Sequence, residues 1–220
     1  MKAIEAVIFD LDGLLIDSEP LWQEAEILVF KQVNIYLTRQ LCLQTKGLRI
    51  DEVVDYWYQR YPWTILSQLE VADSIVDRLI ELISLKGESL PGVDDAIAFV
   101  RQKPVKMALA SSSASNIIRA ALQKLELSDV FSQVYSAESE ILGKPHPGVY
   151  LTTANQLKVA PQKCLAIEDS LNGVLAAKAA QMKCIAIPEP SQQNNPKFAI
   201  ADRILHSLTE LDEEVWNSFN

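Results

Sequence analysis

The 220-residue sequence has no apolar run approaching the roughly 20 residues that span a bilayer. It has no excess of basic residues either: Lys plus Arg number 20 against 29 Asp plus Glu, a net charge of −9. That balance lacks the phosphate-neutralising footprint of a nucleic-acid binder and the basic patch that an anionic membrane attracts. The opening segment, MKAIEAVIFD, carries a single Lys and an apolar stretch broken by Glu5, so it does not read as a signal peptide. Cys42, Cys164 and Cys184 are odd in number, widely spaced and form no CxxC, which indicates neither a disulfide framework nor a zinc site. They read as buried free thiols of a chain in the reducing cytoplasm. Internal repeats are absent, and the one polar low-complexity patch, Ser191–Pro196, reads as a surface loop.

What the sequence does have is a packed-core composition, with 49% hydrophobic and 22% charged residues. Short apolar runs recur: Ala6–Phe9 ending at Asp10, Val105–Ala110 ending at Ser111, Val134–Tyr135 near Ser136, Cys164–Ile167 ending at Glu168, and Cys184–Ile187 ending at Pro188. They are apolar on both parities, as parallel strands buried on both faces are. Helical spacing separates them over Asp94–Gln102, Ser115–Leu125, Pro147–Leu157 and Ser170–Met182. The alternation predicts an α/β fold with a doubly wound, Rossmann-like parallel sheet.

From about Glu19 to Gly87 the alternation stops and no strand is expected. Pro20 suits the first turn of a helix whose stripe is Leu21, Ala25, Leu28 and Val29. Asp51 can cap a helix carrying Val53, Val54, Trp57 and Tyr61. Ser67 and Glu70 have the form of a capping box before Val71, Ile75, Leu79, Leu82 and Ile83. Leu90–Val93 marks the return to the sheet. The expected organisation is an α/β core over residues 1–16 and 88–220 with an all-helical domain inserted at 17–87.

In open parallel sheets, ligands collect beyond the carboxyl ends of the strands. The polar residues expected there are Asp10 and Asp12, Ser111 and Ser112, and Glu168 and Asp169, with Lys144 in the rigid turn Gly143–Pro147. Converging carboxylates need a proton or a cation between them. An oxygen-only donor set favours a hard cation, Mg²⁺ first. A lysine and hydroxyls beside it suit the oxygens of a phosphoryl group. Asp10 can then act as nucleophile, and Asp12 as the acid and base on either side of it. Ser113 and Ser115 read as helix caps, His146 as structural between its two prolines, and Trp22 as packing.

The segment Phe9–Ser18, FDLDGLLIDS, resembles the first motif of the haloacid dehalogenase-like hydrolases, and Ser111, Lys144 and Glu168–Asp169 match the second, third and fourth in order. The stretches Leu14–Trp22 and Gly47–Tyr58 are similar to a subgroup of bacterial sugar and hexitol phosphatases with a helical cap. The resemblance implies a Mg²⁺-dependent phosphoric monoester hydrolase acting on sugar or sugar-alcohol phosphates, such as 2-deoxyglucose 6-phosphate, through an aspartyl-phosphate. It implies Mg²⁺ on the Asp10 side chain, the Asp12 carbonyl and Asp169, with Glu168 reaching it through water or lying behind the ligands. Ser111, the Ser112 backbone and Lys144 would bind phosphate, Asp12–Asp17 would be the hinge of the cap, and Arg49 would contact substrate. The expected partner is a small phosphate ester, bound by a monomer. Three rivals share the scaffold. A phosphosugar mutase carries a histidine where this chain has Trp22, a dehalogenase needs no second Asp, and a silent binding protein would retain the carboxylates without use.

Overall fold

The computed structural model describes residues 4–219; Met1–Ala3 and Asn220, expected at the two ends of the core, lie outside the described residues. Ala6–Phe9 forms strand β1, buried at every position. The further strands are β2 (Lys106–Ser111), β3 (Gln133–Ser136), β4 (Cys164–Glu168), β5 (Lys183–Ala186) and β6 (Arg203–Ile204). Together they make a parallel sheet of six strands in the order β3-β2-β1-β4-β5-β6. The sixth was not expected: it is two exposed residues at the sheet edge, without an apolar pattern to reveal it.

Side-chain alternation splits the core in two. Val7, Phe9, Leu109, Leu165 and Ile167 face one side, where they join the larger apolar cluster. Ala6, Ile8, Ala108, Ala110, Cys164, Ala166 and Cys184 face the other. The small residues there let α7 (Gly148–Leu157) and α8 (Leu171–Ala179) lie close to the sheet. Helices α5 (Val93–Arg101) and α6 (Ser115–Lys124) add their buried stripes to the larger cluster. Helix α9 (Glu213–Asn217) ends the fold, its Trp216 against Phe99.

Between β1 and β2 the chain makes α1 (Glu19–Gln32), α2 (Arg39–Cys42), α3 (Ile50–Arg60) and α4 (Gln68–Lys86). The capping box that opens α4 is formed: Ser67 Oγ accepts from Glu70 N–H at 3.2 Å, and Ser67 N–H donates to the Glu70 carboxylate at 2.8 Å. Val71, Ile75, Leu79, Leu82 and Ile83 are all buried, and α4 packs on α1 and α6. On α1 the buried stripe is Leu21, Ala25, Val29 and Phe30, while Leu28 is exposed. Asp51 lies inside the first turn of α3 rather than capping it, because Glu52 already accepts the Arg49 N–H at 3.0 Å. Tyr61 follows the end of α3 and is exposed. The short α2 had no periodic run to announce it.

Two strands of backbone join the helical segment to the sheet. Ile16 bridges Ser89 antiparallel, Asp17 N–H donates to Glu88 O at 3.0 Å, and Leu90 N–H donates to Leu15 O at 3.2 Å. Among the described residues no helix is long and apolar enough to cross a membrane.

Gly92, which precedes α5, has a φ of +87°, and a Cβ there would lie 2.4 Å from the backbone nitrogen of Thr209. Gly92→Ala is expected to lower stability by about 1–3 kcal/mol. A urea unfolding midpoint equal to wild type would contradict this.

Candidate active site

The sheet order decides what meets at its carboxyl edge. Phe9 is in register with Leu109 on one side and Ile167 on the other. The residues that follow, Asp10, Ser111 and Glu168, therefore share one edge, at the point where strand order reverses. Lys144 arrives from the loop after β3, and the Lys144–Pro145 peptide is cis. Its Nζ donates to Asp10 Oδ1 at 2.5 Å, Glu168 Oε1 at 2.6 Å and the Ala110 carbonyl at 3.2 Å. Burial works to strip the Lys144 proton, but Asp10 and Glu168 hold its pKa above the ordinary value. Burial lifts the Asp10 carboxyl well above its usual range; Lys144 opposes the rise, while Glu168 and Asp169 add to it. Tyr150 Oη donates to Glu168 Oε1 at 2.5 Å.

Carboxylate oxygens of Asp10, Glu168 and Asp169 all lie within 4.8 Å of one another. Asp169 Oδ2 is buried and pairs with the Lys46 ammonium at 3.1 Å. Burial pushes the Asp169 carboxyl up to about 7, with Lys46 lowering it and Glu168 raising it. Hard oxygen donors and like-charge crowding fit a divalent cation of the Mg²⁺ type. Two glycines make room for the cluster. A Cβ on Gly13, whose φ is +76°, would lie 2.4 Å from Asp169 Oδ2, and a Cβ on Gly173 would lie 1.9 Å from the Glu168 carboxyl carbon.

Asp12 is held from two sides. Ser18 Oγ donates to its Oδ1 at 2.7 Å and the Trp22 indole N–H at 3.0 Å; Ser113 Oγ donates to Oδ2 at 2.6 Å and Ser111 Oγ at 3.4 Å. This corrects two readings. Ser113 is not a helix cap but a donor to Asp12, and Trp22 is more than packing. Ser115 likewise caps nothing with its side chain, which donates to Glu138 at 2.7 Å. Ser112 Oγ is buried without a partner and Ser112 lines the cavity. His146 is structural, its Nδ1 accepting from Gly148 N–H at 3.2 Å.

Asp10, Asp12, Ser111, Ser112, Lys144 and Asp169 line one cavity of about 60 Å³, with Glu168 directly behind it. Arg49 does not line it. Its guanidinium donates to the carbonyls of Ala137 at 3.2 Å and Glu140 at 2.7 Å, and to Asp51 at 2.7 Å. Glu52 beside it accepts the Gly143 N–H at 3.1 Å. These contacts tie the start of α3 to the loop that carries Lys144. The cation that does reach the cavity from the helical segment is Lys46, which the sequence reading missed; it pairs with Asp169 and, at 2.9 Å, with Glu189. Glu19 and Glu26 of α1 were missed too, and both line the cavity.

Gly173→Ala is expected to displace Glu168 and so loosen Lys144, lowering both thermal stability and turnover of a phosphate ester by at least tenfold. Wild-type melting and turnover would show that Glu168 has slack which the packing does not suggest.

Three comparisons bear on this site. Residues 7–187 match the family model described as haloacid dehalogenase-like hydrolase. Hexitol phosphatase B of Escherichia coli (strain K12) is 46% identical over 211 residues, which cover 96% of this chain and 95% of that protein. Among solved structures, CbbY from Rhodobacter sphaeroides in complex with phosphate superposes with a TM-score of 0.87 at 26% identity, covering 94% of this chain and 96% of that one. A β-phosphoglucomutase from Clostridium difficile gives 0.85 at 26% identity, covering 98% and 96%. A sheet-edge lysine clamped between the first-strand aspartate and the fourth-strand glutamate, in a chain matched almost from end to end, leaves one assignment: this protein belongs to the haloacid dehalogenase-like hydrolases.

Proposed function

We propose that the protein is a Mg²⁺-dependent phosphatase of sugar or sugar-alcohol phosphates. The observation that carries the reading is the junction of Asp10, Asp12 and Lys144 around one cavity at the strand-order reversal. The likeness to hexitol phosphatase B supports the substrate class. Mg²⁺ would be held by the Asp10 carboxylate, the Asp12 carbonyl and Asp169, with Glu168 behind them or reaching it through water; when bound it supplies positive charge to the phosphoryl oxygens.

Asp10 attacks phosphorus in line, forming an aspartyl-phosphate as the bond to the leaving oxygen breaks. Asp12 donates a proton to that leaving oxygen. It then accepts one from the water that attacks the aspartyl-phosphate, releasing inorganic phosphate and restoring Asp10. Ser111, the Ser112 backbone and Lys144 bind the phosphoryl oxygens. The hydrogen bonds from Ser18, Trp22, Ser111 and Ser113 fix where Asp12 points.

A cavity of about 60 Å³ is far below the roughly 300–1,000 Å³ of ordinary ligand sites. The helical segment, residues 17–87, acts as a cap that swings away to admit substrate and closes to exclude water. Asp12–Asp17 and the strand paired with it at Ser89 serve as the hinge. Arg49 acts as a strut between cap and core rather than as a substrate contact. A monomer in a reducing cytoplasm suits the buried free thiols of Cys42, Cys164 and Cys184.

The likeness to a β-phosphoglucomutase gives the second reading, since mutase and phosphatase share the first chemical step. Trp22 favours hydrolysis, because an indole N–H donates but carries no titratable proton. A screen of hexose, pentose and polyol phosphates, phosphoglycolate and nucleotides with Mg²⁺ separates the two. Inorganic phosphate release from hexose or hexitol phosphates is expected, and isomerisation without release would mark a mutase. Asp10→Asn is expected to abolish turnover while the fold survives, and Asp12→Asn to slow dephosphorylation so that the aspartyl-phosphate accumulates on intact-mass measurement. Turnover near wild type in Asp10→Asn would reject the nucleophile.

A further inference from the structure

Glu19, Trp22 and Glu26 fall at i, i+3 and i+7 on α1 and so share one face of the helix. All three line the cavity, while Leu21, Ala25 and Val29 fill the apolar core. Glu19 is accounted for: Gln23 donates to it at 2.8 Å and Lys46 offsets its charge. Glu26 is not. It is 6% exposed, and burial pushes its carboxyl up to about 8, with the thiol of Cys42 as its hydrogen-bonding neighbour. Its Oε2 has no hydrogen-bond partner. No ion pair satisfies it among the described residues, and the proposed chemistry makes no use of it. An unpaired buried carboxyl oxygen is destabilising, whereas an apolar side chain of similar size would suit a lining that includes Leu48 and Val53.

Position gives this cost a purpose. Trp22 donates to Asp12, the group placed beside the leaving oxygen, so this face of α1 runs from the scissile bond outward. Glu26 lies one turn further on, roughly 6 Å along the helix, within the reach of a hexitol chain whose phosphate sits at Asp10. We infer that Glu26 is a specificity-determining residue: its free oxygen receives a hydroxyl of the leaving group, selecting phosphate esters of polyhydroxylated chains. The inference rests on the phosphatase reading above and deepens it. A site built around a hydroxyl rejects an analogue lacking one, because the buried polar atom is then left unpaired.

The test compares kcat/KM for sorbitol 6-phosphate with that for p-nitrophenyl phosphate, which has no hydroxyl on its leaving group beyond the ester oxygen. Wild type, Glu26→Leu and Glu26→Gln are measured with Mg²⁺, together with their melting temperatures. Glu26→Leu is expected to lower the ratio of the two kcat/KM values at least tenfold, chiefly through KM for the hexitol ester, while melting at or above the wild-type temperature. Glu26→Gln, which keeps a hydrogen-bonding oxygen, is expected to recover part of that ratio. A ratio unchanged in Glu26→Leu overturns the inference and leaves the phosphatase reading standing, as does a fall in both esters alike with a lowered melting temperature. Wild-type protein inert towards both esters overturns the phosphatase reading and this inference with it.

Discussion

The Lys144 ammonium, buried and shared between Asp10 and Glu168, is the constraint around which the active edge is organised. Neither carboxylate would be tolerable there alone. Removing one member of a buried ion pair typically costs about 3–5 kcal/mol, because the other is left uncompensated. The packing bends to the cluster: Gly13 and Gly173 leave the space that Asp169 and Glu168 occupy, and Tyr150 donates to the same Glu168 oxygen as Lys144 while Ser170 Oγ donates to the other. Even so the charges do not balance. Asp10, Asp12, Glu168 and Asp169 face Lys144 and a Lys46 that is shared with Glu189, which leaves negative charge in excess for a divalent cation or protons to answer. Burial chiefly raises the Asp10 and Asp169 carboxyls, and the crowding by Glu168 adds to it.

The helical segment is tied to this cluster at three places: Lys46 to Asp169, Trp22 to Asp12, and Arg49 with Glu52 to the loop leading into Lys144. In the proposed mechanism, closure and assembly of the site are thereby one event: a cap that swings away would take the Trp22 donor from Asp12 and the brace from the loop of Lys144, so the proposed acid would be held in place only with water largely excluded.

Much of this was legible from residue order. The apolar runs name five strands; β1, β2, β4 and β5 are legible because both faces of a parallel sheet are buried there, and the runs of β1, β2 and β4 end in the polar residues that the sheet delivers to its edge. The α4 capping box and stripe read true for the same local reasons. What escaped is what depends on approach across the sequence. Ser113 looked like a cap because its contact with Asp12 spans 101 positions. Lys46 follows the unpatterned α2, and nothing local distinguishes it from a solvated lysine. Arg49 had the chemistry of a phosphate contact, yet Ala137 and Glu140 carbonyls claim its guanidinium. Glu26 was hidden by its own helix, where a carboxylate among leucines and valines reads as the solvent face.

The buried carboxylate cluster is short of positive charge, and a divalent cation would make it up. Calorimetric titration of Mg²⁺ into the wild-type protein and Asp169→Asn tests it most directly, with the melting temperature of each followed alongside. About one Mg²⁺ bound per chain is expected, with a rise in wild-type melting temperature, and binding at least tenfold weaker in Asp169→Asn. Absence of binding heat and of any thermal shift in the wild type, or equal affinity in the two proteins, would contradict it.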